Sequence, residues 1–131
     1  MARFNRSRRR GGAAIEFVLL LPVLLPLLAG IFEYSLVFAE QSNVVAASRE
    51  GVRIGVIDGQ SSLAVQRVRD VLDNYGMDGS AATVEPLESG TAPARVLTLT
   101  VTVPYSARVG GYVPAPTQLT NSATMLLETQ P

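Results

Sequence analysis

An uncharged apolar run near the N-terminus constrains the fold of this chain more than any other feature. The 16 residues from Phe17 to Phe32 read FVLLLPVLLPLLAGIF. Adding Gly11–Ile15 extends the apolar stretch to 22 residues, interrupted only by Glu16. A helix rises about 1.5 Å per residue and a bilayer core is about 30 Å thick, so a crossing needs roughly 20 residues. The stretch predicts a membrane-spanning helix over about residues 13–34.

Basic residues are concentrated in front of this run. The net charge of the 131 residues is zero, yet residues 1–10 hold five Arg and no acid, and the remainder holds six Arg against 11 acids. Arg before an apolar helix predicts a cytoplasmic N-terminus and a lipid partner. Nucleic acid is disfavoured as a partner because the Arg residues directly precede an apolar run, and aromatic stacking platforms are also lacking. The orienting residues are Arg3, Arg6, Arg8, Arg9 and Arg10.

The composition excludes several chemistries. Cys, His, Lys and Trp are absent, which removes disulfides, Cys/His metal sites, Ser-His-Asp triads and Schiff-base lysines. The close carboxylate pairs Asp70/Asp73 and Glu85/Glu88 are interpreted as solvated surface charge. Residues 73–79 are interpreted as a helix end and turn rather than a calcium loop, because the alternating oxygen ligands and distal Glu are missing. We therefore expect no enzyme activity, metal or cofactor.

Glu16 is the most informative single residue. A carboxylate inside a membrane segment is costly and indicates a functional site, unless it lies at the headgroup level where water solvates it. A cleaved secretory signal also combines a basic start with an apolar core. However, the run here exceeds the core of about 7–15 residues typical of such signals, and no clear A-x-A site follows it.

The pattern around Glu16 resembles a class III signal peptide of the type IV pilin superfamily. Basic residues precede Gly11-Gly12, and Glu16-Phe17 then opens the apolar helix. In that family a prepilin peptidase cuts after the Gly on the cytoplasmic face, which leaves the Glu at the fifth mature position. The resemblance implies a cut between Gly11 and Gly12. A cut after Gly12 is the alternative and places Glu16 fourth.

Further segments together resemble TadE-like proteins, the minor pilin-like subunits of tight-adherence (Tad, or Flp) pilus systems. The resemblance covers roughly residues 9–55, and Ser48 departs from it because the family often has Ala there. A second proline, Pro26, follows Pro22 by one turn. The segments that carry the resemblance are Gly12–Phe17, Pro22, Gly30–Glu33 and Ala46–Arg53.

The resemblance implies a non-enzymatic minor pilin or pseudopilin that takes part in biogenesis of a Tad-type pilus. Its partners would be the prepilin peptidase, other pilin or pseudopilin subunits, and the inner-membrane assembly platform. The protein would be a single-pass protein of the cytoplasmic membrane with an extracytoplasmic head, or a component of the pilus. In pilins the Glu is thought to pair with the N-terminal amine of a neighbouring subunit, a role that would fall on Glu16 here, beside Phe17.

Two prolines interrupt the apolar run. Pro22 and Pro26 each lack a backbone N–H, so the carbonyls of Val18 and Pro22 lose their usual partners. Neighbouring subunits or local adjustment must then accommodate these carbonyls. The prolines predict a helix bend useful for leaving the bilayer, with a tolerated transmembrane kink as the alternative.

Beyond Phe32 the helical pattern becomes amphipathic and predicts one helix from about residue 13 to about residue 54. The Gly51-x-x-x-Gly55 pair is consistent with close packing, but we interpret it as the fraying end of the helix. The charges of Arg49, Glu50 and Arg53 predict a solvated face. The positions that recur at helical spacing are Val37, Gln41, Val44, Val45, Ser48 and Val52.

The remaining residues predict a small α+β head. Ser61 or Ser62 can cap a second helix, and this helix ends before Gly76, which suits the C′ position. Alternation in Val96–Val103 predicts the strongest strand, with others near 82–86 and 123–128, and residues 104–117 predict a loop. One face of the second helix would carry Ala64, Val68, Val71, Leu72 and Tyr75.

The predicted organisation has three parts: a basic leader over residues 1–11, a membrane and stalk helix over 12–57, and a head over 58–131. The head would contain the short second helix and about three antiparallel strands, the general plan of a pilin-type subunit. Two other functions remain open at this point. The chain would be either an uncleaved single-pass membrane protein with an envelope-binding head, or an exported small protein with a cleaved signal.

Overall fold

The computed structural model describes residues 9–91, 94–109 and 114–127. Two α-helices, α1 and α2, precede three strands, β1 to β3, and the predicted α+β layout is confirmed. A short 3₁₀ turn at Gly79–Ala81 connects α2 to β1. The element bounds are α1 Arg9–Asp58, α2 Ser61–Asn74, β1 Thr83–Ser89, β2 Arg95–Pro104 and β3 Gln118–Leu127.

Helix α1 extends about one turn further at each end than its sequence predicts. It continues to Asp58 and stops at Gly59, whose φ of +64° belongs to the left-handed region that glycine adopts without strain. Gly51 and Gly55 are both buried, so the interpretation of this pair as a fraying end is wrong. Both glycines lie where α1 crosses α2 and the sheet, and packing rather than local propensity keeps this turn helical.

The two glycines permit a close approach between α1 and its neighbours. A Cβ placed on Gly51 would lie 2.3 Å from Cγ2 of Val68, and one on Gly55 would lie 2.6 Å from Cδ2 of Leu97. Real Cβ atoms do not approach that closely, so neither position accepts a side chain without movement of its neighbours. The close-packing explanation of the Gly51-x-x-x-Gly55 pair therefore holds, although outside the apolar stretch.

The sheet is antiparallel throughout, in the order β1-β2-β3. Alternate residues of β2 point into the core, as the Leu/Val and Thr alternation predicts. Strand β3 begins at Gln118, five residues before its predicted start, because Thr120 and Ser122 face outward opposite hydroxyl residues of β2 rather than forming a loop. The buried residues of β2 are Leu97, Leu99, Val101 and Val103.

Both helices pack against the inner face of the sheet. α1 supplies the amphipathic face predicted beyond Phe32, with Val44 and Ser48 fully buried. α2 buries Ala64, Val68 and Leu72 as predicted, but Tyr75 is 52% exposed because α2 has already ended and the chain turns at Gly76. The φ of Gly76 is +74°, which fits the predicted C′ role.

The connection between α2 and β1 is a helix end followed by a turn, as predicted. The Asp73 carboxylate accepts the backbone N–H of Gly79 at 2.8 Å. The Asp78 carboxylate accepts from the hydroxyl of Ser80 and from the backbone N–H of Ala81, and these bonds lower the pKa of Asp78. Each carboxylate therefore holds a local turn in place.

Candidate functional site: the apolar helix and its junction with the head

The N-terminal part of α1 leaves its side chains uncovered. Every residue from Gly12 to Phe32 is exposed or half-buried, although this stretch is the most apolar of the chain. Among the described residues, α1 is long and apolar enough to cross a membrane, with a mean hydropathy of 2.5 over its best 18-residue window. In water such a surface would be unfavourable by roughly 25 cal/mol per Å². The stretch therefore requires lipid or protein around it.

The predicted processing residues lie in the first turn of this helix. α1 begins at Arg9, so Gly11 and Gly12 are helical, and a side chain added at Gly12 would meet no atom within 4 Å. Each glycine destabilises a helix by about 0.5–1 kcal/mol relative to Ala, so this turn opens easily. Of the predicted orienting residues, Arg9 and Arg10 belong to α1, whereas Arg3, Arg6 and Arg8 lie outside the described residues.

Glu16 and Phe17 lie one turn beyond this glycine pair. Both side chains are exposed on the outside of α1. Residues four apart on a helix are neighbours on the same face, so Glu16 projects beside Gly12. An exposed carboxylate at this position is accessible to a group on another chain.

Helix α1 runs without interruption through Pro22 and Pro26. Both prolines are exposed, and with Gly30 and Tyr34 they follow one another at four-residue intervals along one face. Gly30 and Tyr34 contribute to a shallow apolar groove that begins at Pro26. The predicted bend at the prolines stays a prediction.

At Glu33 the surroundings of α1 change abruptly. The side chain of Glu33 is 1% exposed, and its carboxylate accepts three different donors from the segment that follows β2. The phenol of Tyr105 donates to Oε1 at 2.7 Å. The backbone N–H groups of Arg108 and Val109 donate to Oε2 at 3.1 and 2.7 Å. We call Glu33, Tyr105, Arg108 and Val109 the Glu33 clasp.

Flanking contacts extend the Glu33 clasp along α1. The Tyr34 hydroxyl donates to the carbonyl oxygen of Pro114 at 3.2 Å. The guanidinium of Arg108 forms an ion pair with Glu40, whose side chain is mostly buried. The described parts of the segment after β2 are thus fixed to α1 immediately beyond the apolar stretch.

The phenol of Tyr105 is a neutral hydrogen-bond donor at physiological pH. Its side chain is 7% exposed. Burial is the main cause that raises the pKa of Tyr105, and the hydrogen bond to the Glu33 carboxylate adds to it, so that the pKa reaches about 12. Both effects disfavour the phenolate, because a second negative charge beside Glu33 would be poorly solvated.

Further along α1, polar side chains connect the helix to β3. Nε2 of Gln41 donates to the carbonyl oxygen of Thr120 at 3.0 Å. Nδ2 of Asn121 donates to the buried hydroxyl of Ser48 at 2.6 Å. Ser48, the position where the sequence departs from the family pattern, therefore has a defined role in attaching the sheet.

One of the charged side chains predicted to form a solvated face, Glu50, instead connects the two helices. Glu50 pairs with Arg53 on α1 and also with Arg67 on α2 at 3.2 Å. Glu88 pairs with Arg95 across β1 and β2. Within the part of the chain that the structure describes, no group of three or more His, Cys, Asp or Glu side chains is placed to hold a metal ion.

The Glu33 clasp is the feature that sequence reasoning missed. In the sequence, Glu33 stands out only as part of the segment Gly30–Glu33 that resembles the family, and residues 104–117 predict a loop. The available signal was the position of Glu33, the first charge after an uncharged run of 16 residues. Nothing in the sequence indicates which loop residues would meet that carboxylate.

Comparison with known protein families gives a match over most of α1. Residues 11–53 match the family described as TadE-like protein. This segment is therefore similar to TadE-like proteins. The match covers 43 of the 131 residues, including Glu16, both prolines and Glu33, whereas α2 and the sheet lie outside it. No curated protein and no solved structure matches the chain.

Proposed function

We propose that this protein is a non-enzymatic minor pilin or pseudopilin that takes part in the biogenesis of a Tad-type pilus. The observation that carries the proposal is that the TadE-like match includes both the apolar surface of α1 and the part of α1 that packs in the head. The TadE-like match begins at Gly11, where the basic leader ends, covers the whole apolar surface of α1, and continues past the Glu33 clasp to Arg53. A pilin-type subunit requires both parts: a helix for lipid and neighbouring subunits, and a folded head.

The membrane-spanning segment is assigned to residues 12–32. These residues would extend about 30 Å as a helix, which equals the thickness of a bilayer core. The Glu33 clasp supports an end at Phe32, slightly before the limit expected from sequence, because its polar contacts belong at the level of water or headgroups. The basic leader then lies in the cytoplasm and the head outside it.

Processing by a prepilin peptidase is assigned to the bond between Gly11 and Gly12. A cut there creates a new α-amine at Gly12, one helical turn from the exposed Glu16. In a low-dielectric environment a carboxylate and an ammonium group each need an opposite charge. We therefore propose that Glu16 pairs with the N-terminal amine of a neighbouring subunit during assembly.

N-terminal sequencing of the protein extracted from membranes tests the processing step. The expected mature start is Gly12, with accumulation of the precursor in the variant Gly11→Ala. Gly12→Ala is the matched control, because it alters the adjacent glycine and should still be cut after Gly11. An intact N-terminus in the wild-type protein would favour the uncleaved single-pass alternative. A start beyond Gly30 in a soluble fraction would overturn the pilin proposal.

The role of Glu16 is tested by counting pili in cells that carry Glu16→Ala. We expect normal membrane insertion and strongly reduced piliation, because the substitution removes the charge within the proposed membrane segment while leaving the apolar helix intact. Glu50→Ala, on the same helix but within the head, is the control and should leave piliation unchanged. Normal piliation with Glu16→Ala would contradict a role for this carboxylate in assembly.

A further inference from the structure

Strand β3 leaves one of its two edges open. Within the described residues it is the last strand on its side of the sheet. Tyr105 donates its backbone N–H to the carbonyl of Thr117, and hydrogen-bonded pairs alternate with non-bonded pairs along an antiparallel ladder. Given the register, odd-numbered residues of β3 bond to β2 and even-numbered residues direct their N–H and C=O groups outward.

Only the beginning of this open edge has a partner among the described residues. The carbonyl of Thr120 accepts from Gln41 of α1, which is independent evidence that even-numbered residues face outward. The backbone groups of Ser122, Thr124 and Leu126 come next at two-residue intervals. These three residues form what we call the β3 edge.

The two edges of the sheet differ in how they are protected against strand addition. β1 has seven residues and contains Pro86 and two acidic residues, Glu85 and Glu88, which are typical devices against pairing with another strand. β3 has ten residues with neither a proline nor a charge. Because β3 is an uncharged ten-residue edge strand, whereas β1 at the opposite edge is protected, we expect β3 to have a binding role.

We propose that the β3 edge binds an extended, uncharged segment of a different protein, which adds as a fourth strand antiparallel to β3. Main-chain donors and acceptors at two-residue spacing recognise another extended backbone. The outward side chains specify the rest of the partner. Hydroxyl pairs at Thr98–Thr124 and Thr100–Ser122 favour small or hydroxyl residues beside them, and the exposed Leu126 favours an apolar one.

The direction of the strands argues against a second copy of this chain as the occupant. Contacts from α1 to the sheet progress from Tyr34–Pro114 through Gln41–Thr120 to Ser48–Asn121, so β3 runs in the same direction as α1. β1 runs this way too, because both flank the antiparallel β2. Copies anchored in one membrane, as the proposed function requires, would offer only parallel edges, and parallel pairs are less stable per residue.

Peptide binding to the full-length protein in detergent micelles tests the proposal. The probe is a fluorescein-labelled peptide with the uncharged sequence of residues 96–103, VLTLTVTV, which already pairs antiparallel with β3 on its other edge. We expect saturable binding by fluorescence anisotropy, weakened about tenfold by Thr124→Pro because one edge donor is lost and the proline ring obstructs the incoming strand. Thr124→Val is the matched control, since it also loses the hydroxyl but keeps the N–H.

Each outcome of this experiment decides for or against the proposal. No saturable binding, or equal binding by wild type and Thr124→Pro, would overturn it. If circular dichroism shows that Thr124→Pro is unfolded, Ser122→Arg replaces it, because a charge on this edge should also weaken binding about tenfold. Self-association of the wild-type chain that Thr124→Pro abolishes would overturn the assignment to a different protein.

The direction of the bound peptide is measured by disulfide formation between one cysteine introduced into the chain and one in the peptide. This is possible because the chain has no cysteine of its own. An antiparallel peptide places its N-terminal end beside Leu126, so a cysteine at that end should form a disulfide with Leu126→Cys, and one at the C-terminal end should not. The opposite preference would contradict the antiparallel arrangement.

These measurements need neither processing nor pili, so their failure leaves the proposed function intact. Conversely, if the protein is not cleaved after Gly11 but still binds the peptide, only the proposed pilus function would be contradicted.

Discussion

Helix α1 contains two regions with different surroundings. Residues 12–32 are exposed or half-buried along their whole length, whereas from Glu33 to Gly55 one face of the helix is buried under α2 and the sheet. The backbone is helical in both regions, so the difference lies in what covers the side chains. Stability of the second region is supplied by this chain, and that of the first must come from lipid or other subunits.

Two glutamates of α1, one in each region, differ in the same way. Glu33 is buried and accepts a phenol and two backbone N–H groups of its own chain, whereas Glu16 is exposed. A carboxylate whose acceptor capacity is used within the fold has a structural role. A carboxylate on the uncovered region is available to another molecule, which is the role proposed for Glu16.

Removing the Glu33 carboxylate should produce the largest loss of head stability. Glu33→Ala leaves the Tyr105 hydroxyl and two backbone N–H groups without their acceptor, which costs about 3 kcal/mol. Thermal unfolding in detergent, followed by near-ultraviolet circular dichroism, measures the effect. Glu50→Ala removes a partly exposed ion-paired carboxylate and should cost below about 1 kcal/mol. Equal losses in the two variants would show that the Glu33 clasp contributes nothing special.

A methyl group on Gly51 should have the next largest effect. Its Cβ would lie 2.3 Å from Cγ2 of Val68 and 3.1 Å from the carbonyl oxygen of Ala64, so α1 and α2 must move apart. We expect Gly51→Ala to lower the free energy of unfolding by about 2 kcal/mol despite its better helix propensity. Gly12→Ala meets open space in the uncovered region of the same helix and should leave head unfolding unchanged. An unaffected Gly51→Ala protein would contradict the close crossing.

Alkaline pH should weaken the contact between Tyr105 and Glu33, where the two regions of α1 meet. The loss of stability should be smaller than in Glu33→Ala or Gly51→Ala. The pKa of Tyr105 is raised from 10.0 to about 12, so its contribution to stability is complete below pH 10 and is lost as the pH rises towards 12. The midpoint of thermal unfolding should therefore fall over this window, and less steeply in Tyr105→Phe. Tyr75→Phe changes an exposed phenol and should keep the wild-type slope. Identical slopes for wild type and Tyr105→Phe would exclude this coupling.

The sequence predicts the regular elements well because each rests on a local pattern. The uncharged run, the apolar spacing of α2 and the alternation of β2 correspond to α1, α2 and β2 in the structure. The sequence predicts too early an end for α1 because Gly51 and Gly55 weaken a helix locally. Only their close contacts with α2 and Leu97 explain why the helix continues through them. β3 was shortened because Thr, Asn and Ser resemble loop residues until their hydroxyl partners on β2 are known.

Some residues of the candidate site can be predicted from the sequence, and others cannot. Gly11, Gly12, Glu16 and the prolines could be singled out from sequence because they depart from a simple apolar helix. The Glu33 clasp could not, because its donors follow Glu33 by 72 to 76 residues and two of them are backbone N–H groups, which any residue type supplies. Contacts of this kind depend on the path of the chain and leave no pattern in composition or spacing.

Cysteine labelling along α1 tests the central division most directly, because every introduced cysteine is unique in this chain. Intact spheroplasts are treated with a membrane-impermeant maleimide. The account predicts that Leu20→Cys and Leu27→Cys are unreactive, and that Ser42→Cys, exposed on the stalk above the Glu33 clasp, is labelled. Labelling at Leu27, or protection at Ser42 until the spheroplasts are lysed, would contradict a membrane segment that ends before Glu33 with the head outside the cytoplasm.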